Sequence, residues 1–217
     1  MTKKVTDVNE YGEFGLIDHL TKSFGSTNPS TLKGIGDDAA IIKNAKDYTA
    51  ISTDMLMEGI HFDIRYSPLK HLGYKSVVVN LSDIYAMNVI PSQITVSMAI
   101  SSKYSVEALE EFYDGIKTAC DFYNVDLIGG DTTSSLKGMA ISVTAIGTIA
   151  DKSKITYRSG AKKGDILCVT GSLGAAYLGL QILEREKQLF LSDKQMTPEL
   201  DSHTYLIERQ LKPEANK

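Results

Sequence analysis

No apolar run in these 217 residues approaches the roughly 18 that a membrane span needs. The start, Lys3-Lys4-Val5-Thr6-Asp7-Val8-Asn9-Glu10, lacks the apolar core of a signal peptide. Positive charge is in deficit: 23 Lys and Arg stand against 27 Asp and Glu, a net charge of −4. That balance argues against a protein that grips nucleic acid through its phosphates. Cysteine is sparse. Cys120 and Cys168 lie far apart without metal-ligand spacing, so two structural thiols in a cytoplasmic protein are expected. Histidine is sparse as well, and the scatter of His19, His61, His71 and His203 argues against a His-built zinc site.

Several catalytic signatures are also missing. There is no G-x-x-x-x-G-K-[ST] phosphate loop, no H-E-x-x-H and no G-x-S-x-G. Gly34-x-Gly36 lacks the third glycine of the dinucleotide fingerprint, because Ala39 stands there. What is present is the composition of an ordinary globular protein, 42% hydrophobic and 23% charged.

The hydrophobic pattern yields a coarse architecture. A short helix opens at Gly12 and ends near Phe24-Gly25. Short strands are expected over Ala39–Ile42 and Tyr48–Thr53, the second ending at Asp54. Long helices are expected over His71–Met87 and, after the cap residue Ser105, to about Tyr123. In the second of these, Val106, Leu109, Phe112, Tyr113, Ile116, Ala119, Cys120 and Tyr123 form a stripe of 3.6-residue period. Ile94, Val96, Met98 and Ile100 alternate with polar or small residues, as do Met139, Ile141, Val143 and Ala145, so both segments read as half-buried strands. Val125–Ile128 is a further short strand. After a polar turn near Ser159–Gly164, a strand over Asp165–Val169, a helix over Ala175–Glu186 and one more helix beyond Pro198 are expected. Helices separate some strands and not others, which is an α+β order. About 60 residues follow the turn, too few for a comfortable domain, so the chain is expected to be cut short.

Oxygen chemistry stands out. Asp37 and Asp38 sit in a glycine loop, Asp54 follows Ser52-Thr53, Asp83 follows Asn80-Leu81-Ser82, and Asp131 follows Gly129-Gly130. Carboxylates beside glycines and hydroxyls suit hard cations, with room for water and phosphate oxygens. Ordinary turn chemistry accounts equally for any one of them. Asp83 is the sharpest case. Its helix is apolar nearly all round, yet Ser76, Asn80 and Asp83 share one narrow polar stripe. Either that stripe faces solvent, or Asp83 meets a cation or strong donors. Asp54, Asp83 and Asp131 are expected to converge within roughly 8 Å around bridging ions.

The ordered set Gly34-Ile35-Gly36-Asp37-Asp38-Ala39-Ala40, Ser52-Thr53-Asp54, Asn80-Leu81-Ser82-Asp83, Gly129-Gly130-Asp131-Thr132-Thr133 and Arg158-Ser159-Gly160-Ala161 closely resembles the thiamine-monophosphate kinase family. That family belongs with aminoimidazole ribonucleotide synthetase and selenophosphate synthetase. Gly59-Ile60-His61-Phe62 is similar to the segment carrying its substrate-contacting histidine. The resemblance implies transfer of a phosphoryl group from ATP to thiamine phosphate, giving thiamine diphosphate.

It further implies several Mg²⁺ ions held by Asp38, Ser52, Thr53, Asp54, Asp83 and Asp131. It places Tyr113, Gly130, Asp131 and Arg158 near ATP and His61 near the substrate. From the residues alone, Tyr113 could simply pack in its helix stripe, Arg158 could be a solvated loop arginine, and His61 a surface histidine. No catalytic base is implied, because the attacking phosphate oxygen is already ionised at neutral pH. The resemblance also implies a homodimer whose N-terminal sheets, each packed on two long helices, pair into a barrel. Residues 1–155 would be the metal- and ATP-binding domain, and 156–217 the start of a truncated C-terminal α/β domain lacking the family's later acidic element. Two alternatives stay open: another ATP-using synthetase of the superfamily, or a non-catalytic nucleotide-binding or dimerisation fragment.

Overall fold

The computed structural model describes residue 7, residues 10–194 and residues 197–216. Its centre is a mixed sheet of six strands: β1 (Thr31–Lys33), β2 (Ala40–Lys43), β3 (Tyr48–Met57), β4 (Ile90–Ile100), β5 (Asp126–Ser134) and β6 (Met139–Ile149). They lie in the order β1-β2-β3-β6-β4-β5, antiparallel except for the β4–β5 pair. The expected alternation holds. Ile94, Val96 and Met98 stand in register with Ala145, Val143 and Ile141, and all six are buried. The α+β architecture read from the sequence is therefore correct.

The two long helices are α2 (Leu69–Ala86) and α3 (Val106–Tyr123). The Ser105 side chain accepts from the Ala108 N–H at 3.2 Å, the expected cap, and Asn124 closes α3 in the left-handed conformation at φ 55°. Helix α2 lies against β3, β6 and β4, and α3 packs along α2. The helices meet at glycines. A Cβ on Gly73 would stand 1.9 Å from the Phe112 carbonyl oxygen, and one on Gly115 would stand 1.9 Å from that of Lys70. The stripe Ser76-Asn80-Asp83 faces the sheet and not solvent: Ser76 and Asn80 are fully buried.

Helix α1 (Gly12–Thr21) precedes the sheet, and α4 (Ala175–Ser192) and α5 (Thr204–Leu211) follow it. Helices α4 and α5 pack on each other, with Gly179 against the Leu206 backbone. They are tied to the rest by Tyr66 Oη donating to Glu184 at 2.7 Å, Lys187 pairing with Asp63 at 3.3 Å, and the Ala215 N–H donating to Tyr123 Oη at 2.9 Å. No described helix is long and apolar enough to cross a membrane.

Three expectations need correction. Strand β3 does not end at Asp54; it continues to Met57, because β6 pairs along its whole length from Tyr48↔Ile149 to Met57↔Ala140. No strand forms over Asp165–Val169. Among the described residues nothing offers that segment a ladder partner, and Ile166 and Leu167 are 88% and 99% exposed. Of the two thiols, Cys120 is buried as expected, but Cys168 is exposed in this same unpaired segment.

Candidate active site

Strand β2 pairs with β3 only from Tyr48 to Ile51. From Ser52 onward β3 therefore has β6 on one side and an open edge on the other, and the Gly36-Asp37-Asp38 loop enters β2 beside that edge. Helix α2 crosses beneath. The Asn80 side chain reaches up from it and accepts the Asp54 N–H at 2.8 Å, while its own amide donates to the Ser76 carbonyl at 2.9 Å. One turn on, Asp83 accepts from Ser52 Oγ at 2.8 Å. A buried asparagine thus holds the strand bearing Asp54 over the helix bearing Asp83.

Asp38 completes this group. Arg158 donates from Nε and Nη2 to Asp38 Oδ1 at 2.9 and 2.6 Å. The Arg158 backbone N–H donates to Asp37 at 3.1 Å, and its guanidinium lies 5.7 Å from the Phe14 ring centre. Asp37 is the buried anchor of the loop. Burial works against its ionisation, but the N–H groups of Arg158 and Asp38 and the Lys33 ammonium outweigh that and hold its carboxyl below the usual range. Asp83 behaves oppositely. Burial pushes its pKa up, the charges of Asp54 and Asp38 push it further, and Ser52 and Arg158 only partly offset them. Asp54 is also raised, chiefly by burial. Crowded carboxylates that resist ionisation are a site short of positive charge.

Beside Asp54 lies a pocket of about 240 Å³ lined by Asp54, Met55, Leu56, His61, Lys75 and Val79. His61 Nδ1 accepts from the Met57 N–H at 2.9 Å. The ring is thereby fixed, and the proton of the neutral imidazole sits on Nε2.

A second recess, of about 550 Å³, lies at the far edge of the sheet between α3 and β5. Tyr113, Gly129, Gly130 and Asp131 line it with Val96. Tyr113 does not pack inside the core stripe; it is 40% exposed and faces this recess. Gly130 is required by the sheet itself, because a Cβ there would stand 1.8 Å from the Val96 carbonyl oxygen.

The residues singled out from sequence thus form two groups. Asp38, Ser52, Asp54, Asp83 and Arg158 gather at the β3 edge, with His61 in the adjoining pocket. Tyr113, Gly130 and Asp131 gather at β5. Thr53 faces away from Asp54, donating to the Val143 carbonyl at 3.1 Å and accepting from Thr144 Oγ1 at 3.1 Å. The expected convergence of Asp131 with Asp54 and Asp83 does not occur within the chain. Strands β6 and β4 intervene between β3 and β5, a separation of about 14 Å at the usual interstrand spacing. Arg158 likewise stands with Asp38, not with the other three residues expected near ATP. Among the described residues no three His, Cys, Asp or Glu side chains close on a point that would hold a metal ion.

Lys75 escaped the sequence reading altogether, and so did the partners of Asp37 and Asn80. Asp37 and Asp38 are neighbouring carboxylates of one loop, and only the long-range bond from the Arg158 N–H and the ion pair with Lys33 set Asp37 apart. Asn80 was seen as part of the polar stripe, but its partner on β3 was not visible. Lys75 sits on an apolar helix with no nearby motif to mark it.

Residues 36–149 match the family described as AIR synthase related protein, N-terminal domain. Thiamine-monophosphate kinase of Buchnera aphidicola subsp. Schizaphis graminum is 40% identical over 205 residues, which is 94% of this chain and 59% of that protein. The Bacillus subtilis enzyme of the same name is 37% identical over 209 residues, covering 93% of this chain and 60% of the relative. The solved structure of AaThiL complexed with AMPPCP and TMP superposes with a TM-score of 0.79 at 32% identity, covering 97% of this chain and 62% of that one. The chain therefore spans about three fifths of the length of the curated relatives it matches. With the matched segment running from the Gly36-Asp37-Asp38 loop to the end of β6, the chain belongs to the family of AIR synthase related proteins.

Proposed function

We propose that this chain carries the N-terminal portion of a thiamine-phosphate kinase, which transfers the γ-phosphoryl group of ATP to thiamine phosphate. The observation that carries the reading is the Asp38–Ser52–Asp54–Asp83 group set beside the pocket of His61 and Lys75. The related AaThiL structure was obtained in complex with AMPPCP and TMP, which supports a site for a nucleotide beside a phosphorylated acceptor.

The donor set suits Mg²⁺. That ion takes one or two carboxylates, keeps several waters and completes its shell with substrate phosphates. Asp54 and Asp83, with Ser52 Oγ between the strand and helix, supply such oxygens, and their raised pKa values mark the charge that a cation would relieve. Asp38 is the third carboxylate of the group, and Arg158 holds one of its oxygens. Thr53 and Asp131 would serve only ions placed away from this centre. Bound Mg²⁺ would neutralise the phosphate oxygens in the transition state. The chain's own residues do the positioning: Asn80 fixes Asp54, Ser52 orients Asp83, and His61 presents Nε2–H toward the thiamine end of the substrate. Tyr113 and the bare backbone of Gly130 shape the recess assigned to ATP.

The test is thiamine diphosphate formation from ATP and thiamine phosphate with Mg²⁺, followed by chromatography alongside ADP release. Little turnover is expected of these 217 residues without the family's later acidic element, and the product that does form should require thiamine phosphate and not appear with unphosphorylated thiamine. ADP release coupled to some other acceptor would transfer the site to a different synthetase of the superfamily.

The sheet face away from α2 supports a homodimer. Ile51, Met55, Met57 and Ile146 share that face, and Met55 and Met57 are 58% and 40% exposed. A second copy laid on it would cover these side chains and form a closed double sheet. Light scattering at micromolar concentration should give twice the chain mass, and Met55→Asp should reduce it to the monomer. A wild-type monomer would remove the dimer from the proposal.

A further inference from the structure

Outside the Asp54 and Asp83 carboxylates of the site, charged side chains sunk among the described residues are paired. Asp63 meets Arg65 and Lys187, Lys187 also meets Glu184, Glu186 meets Arg185, and Glu58 meets Lys103. Lys75 is the exception. It is partly buried on α2 and lines the pocket of Asp54, His61 and Val79. Among the described residues it has no carboxylate partner. Its recorded hydrogen bond runs to the Gln210 carbonyl at 3.4 Å, beyond the usual range for such bonds. Asp54 lines the same pocket, yet the influences on its ionisation are burial, His61 and Glu13, not Lys75. Burial pulls the Lys75 pKa down with no opposing anion.

An ammonium withdrawn from water without a counter-ion is costly to the fold. Gln210 gives it one long contact to a neutral oxygen, which is weak compensation. The pocket it faces is open, small and flanked by an imidazole. Lys75 is the cation of its lining and offers a phosphate monoester a compact point charge with three donors, while the Asp54 carboxylate opposite is left to a bridging cation.

We propose that Lys75 is the phosphate-binding residue of this pocket, holding the phosphate of the acceptor substrate and positioning it beside Asp54 and His61. The inference deepens the kinase reading and rests on the pocket being the site of the phosphorylated acceptor.

Calorimetry on the full chain with Mg²⁺ tests it, using thiamine phosphate, unphosphorylated thiamine, pyrophosphate and a non-hydrolysable ATP analogue. Lys75→Met should weaken thiamine phosphate and pyrophosphate by at least about tenfold, the scale of a lost charge-assisted contact. Thiamine and the ATP analogue should bind as before. Lys75→Arg should restore part of the phosphate affinity. The melting temperature of Lys75→Met should equal or exceed that of the wild type, since a lone buried charge has been removed. Wild-type affinity for thiamine phosphate in Lys75→Met overturns the proposal. So does a drop in melting temperature shared by Lys75→Met and Lys75→Gln, which would make the ammonium a clamp on Gln210. If the wild type binds pyrophosphate through Lys75 but ignores thiamine phosphate, the anion site stands and the thiamine reading falls. If it binds neither, both fall.

Discussion

Replacing either Gly73 or Gly115 by alanine will destabilise the protein by about 3 kcal/mol or more, the upper range for overpacking against atoms that cannot move aside. Helix propensity alone predicts the opposite sign, since alanine is favoured over glycine by roughly 1 kcal/mol within a helix. The contact decides. A Cβ at Gly73 would stand 1.9 Å from the Phe112 carbonyl oxygen, and one at Gly115 would stand 1.9 Å from the Lys70 oxygen, so each clash is with helix backbone. Relief requires moving α2 away from α3, which opens the layer holding Leu72, Phe112 and Ile116, all essentially inaccessible. For a chain of this length the melting temperature should fall by roughly 10 °C. Gly15→Ala is the control. Its new Cβ would meet only Tyr11 at 3.7 Å, an ordinary contact on an exposed helix, and the propensity gain should survive. Thermal melts by circular dichroism check all three. A Gly73→Ala protein that melts like the wild type would show that the helices do not touch at these glycines.

That crossing also illustrates what the sequence could and could not disclose. The stripe of α3 and the alternation in β4 and β6 repeat over many residues, so periodicity alone located them. Glycines inside helices carry no such signal, because their role depends on which helix lies opposite. The same limit explains Asp131. Its glycine-flanked motif was legible, but the strand order that sets β6 and β4 between it and Asp54 is a matter of long-range pairing. Strand β1, three residues long, has too little pattern to read. The segment 165–169 shows the converse: an apolar run has the pattern of a strand, although a strand exists only where a ladder partner does. At the site, residue identity went further than geometry. Asp38, Asp54 and Asp83 were named from motifs, whereas Asn80, which holds the strand of Asp54 to the helix of Asp83, needed the structure.

Asp83→Asn will have the largest effect on chemistry and, without metal, the opposite effect on stability. The amide is nearly isosteric, and its oxygen can still accept from Ser52 Oγ, which lies 2.8 Å from the carboxylate in the wild type. What changes is charge. In the folded chain the Asp83 pKa is raised by burial and by the neighbouring charges of Asp54 and Asp38. A carboxyl with a raised folded pKa binds its proton more tightly when folded than when unfolded. Its contribution to stability is therefore greatest at low pH and declines as pH climbs from the unfolded carboxyl value through the raised folded one. Above that window the penalty is constant, and Asp83→Asn removes it. At pH 7 in EDTA the variant should melt higher than the wild type, and the difference should shrink on acidification through the carboxyl range. Asp37, Glu58 and Asp63, whose pKa values are lowered, lose their contributions over similar pH values in both proteins, so the difference between the two melts reports Asp83 together with its coupling to Asp54 and Asp38. Mg²⁺ reverses the order. By mass action on the folded state it should raise the wild-type melting temperature and leave the variant nearly unmoved. In the reaction proposed above, whatever thiamine diphosphate formation the wild type shows should fall by about a thousandfold, the scale seen when one preorganised electrostatic group is removed from a transition state. Equal Mg²⁺ responses in the two proteins would place the ions elsewhere, and Asp131 at the β5 recess would be the next carboxylate to replace.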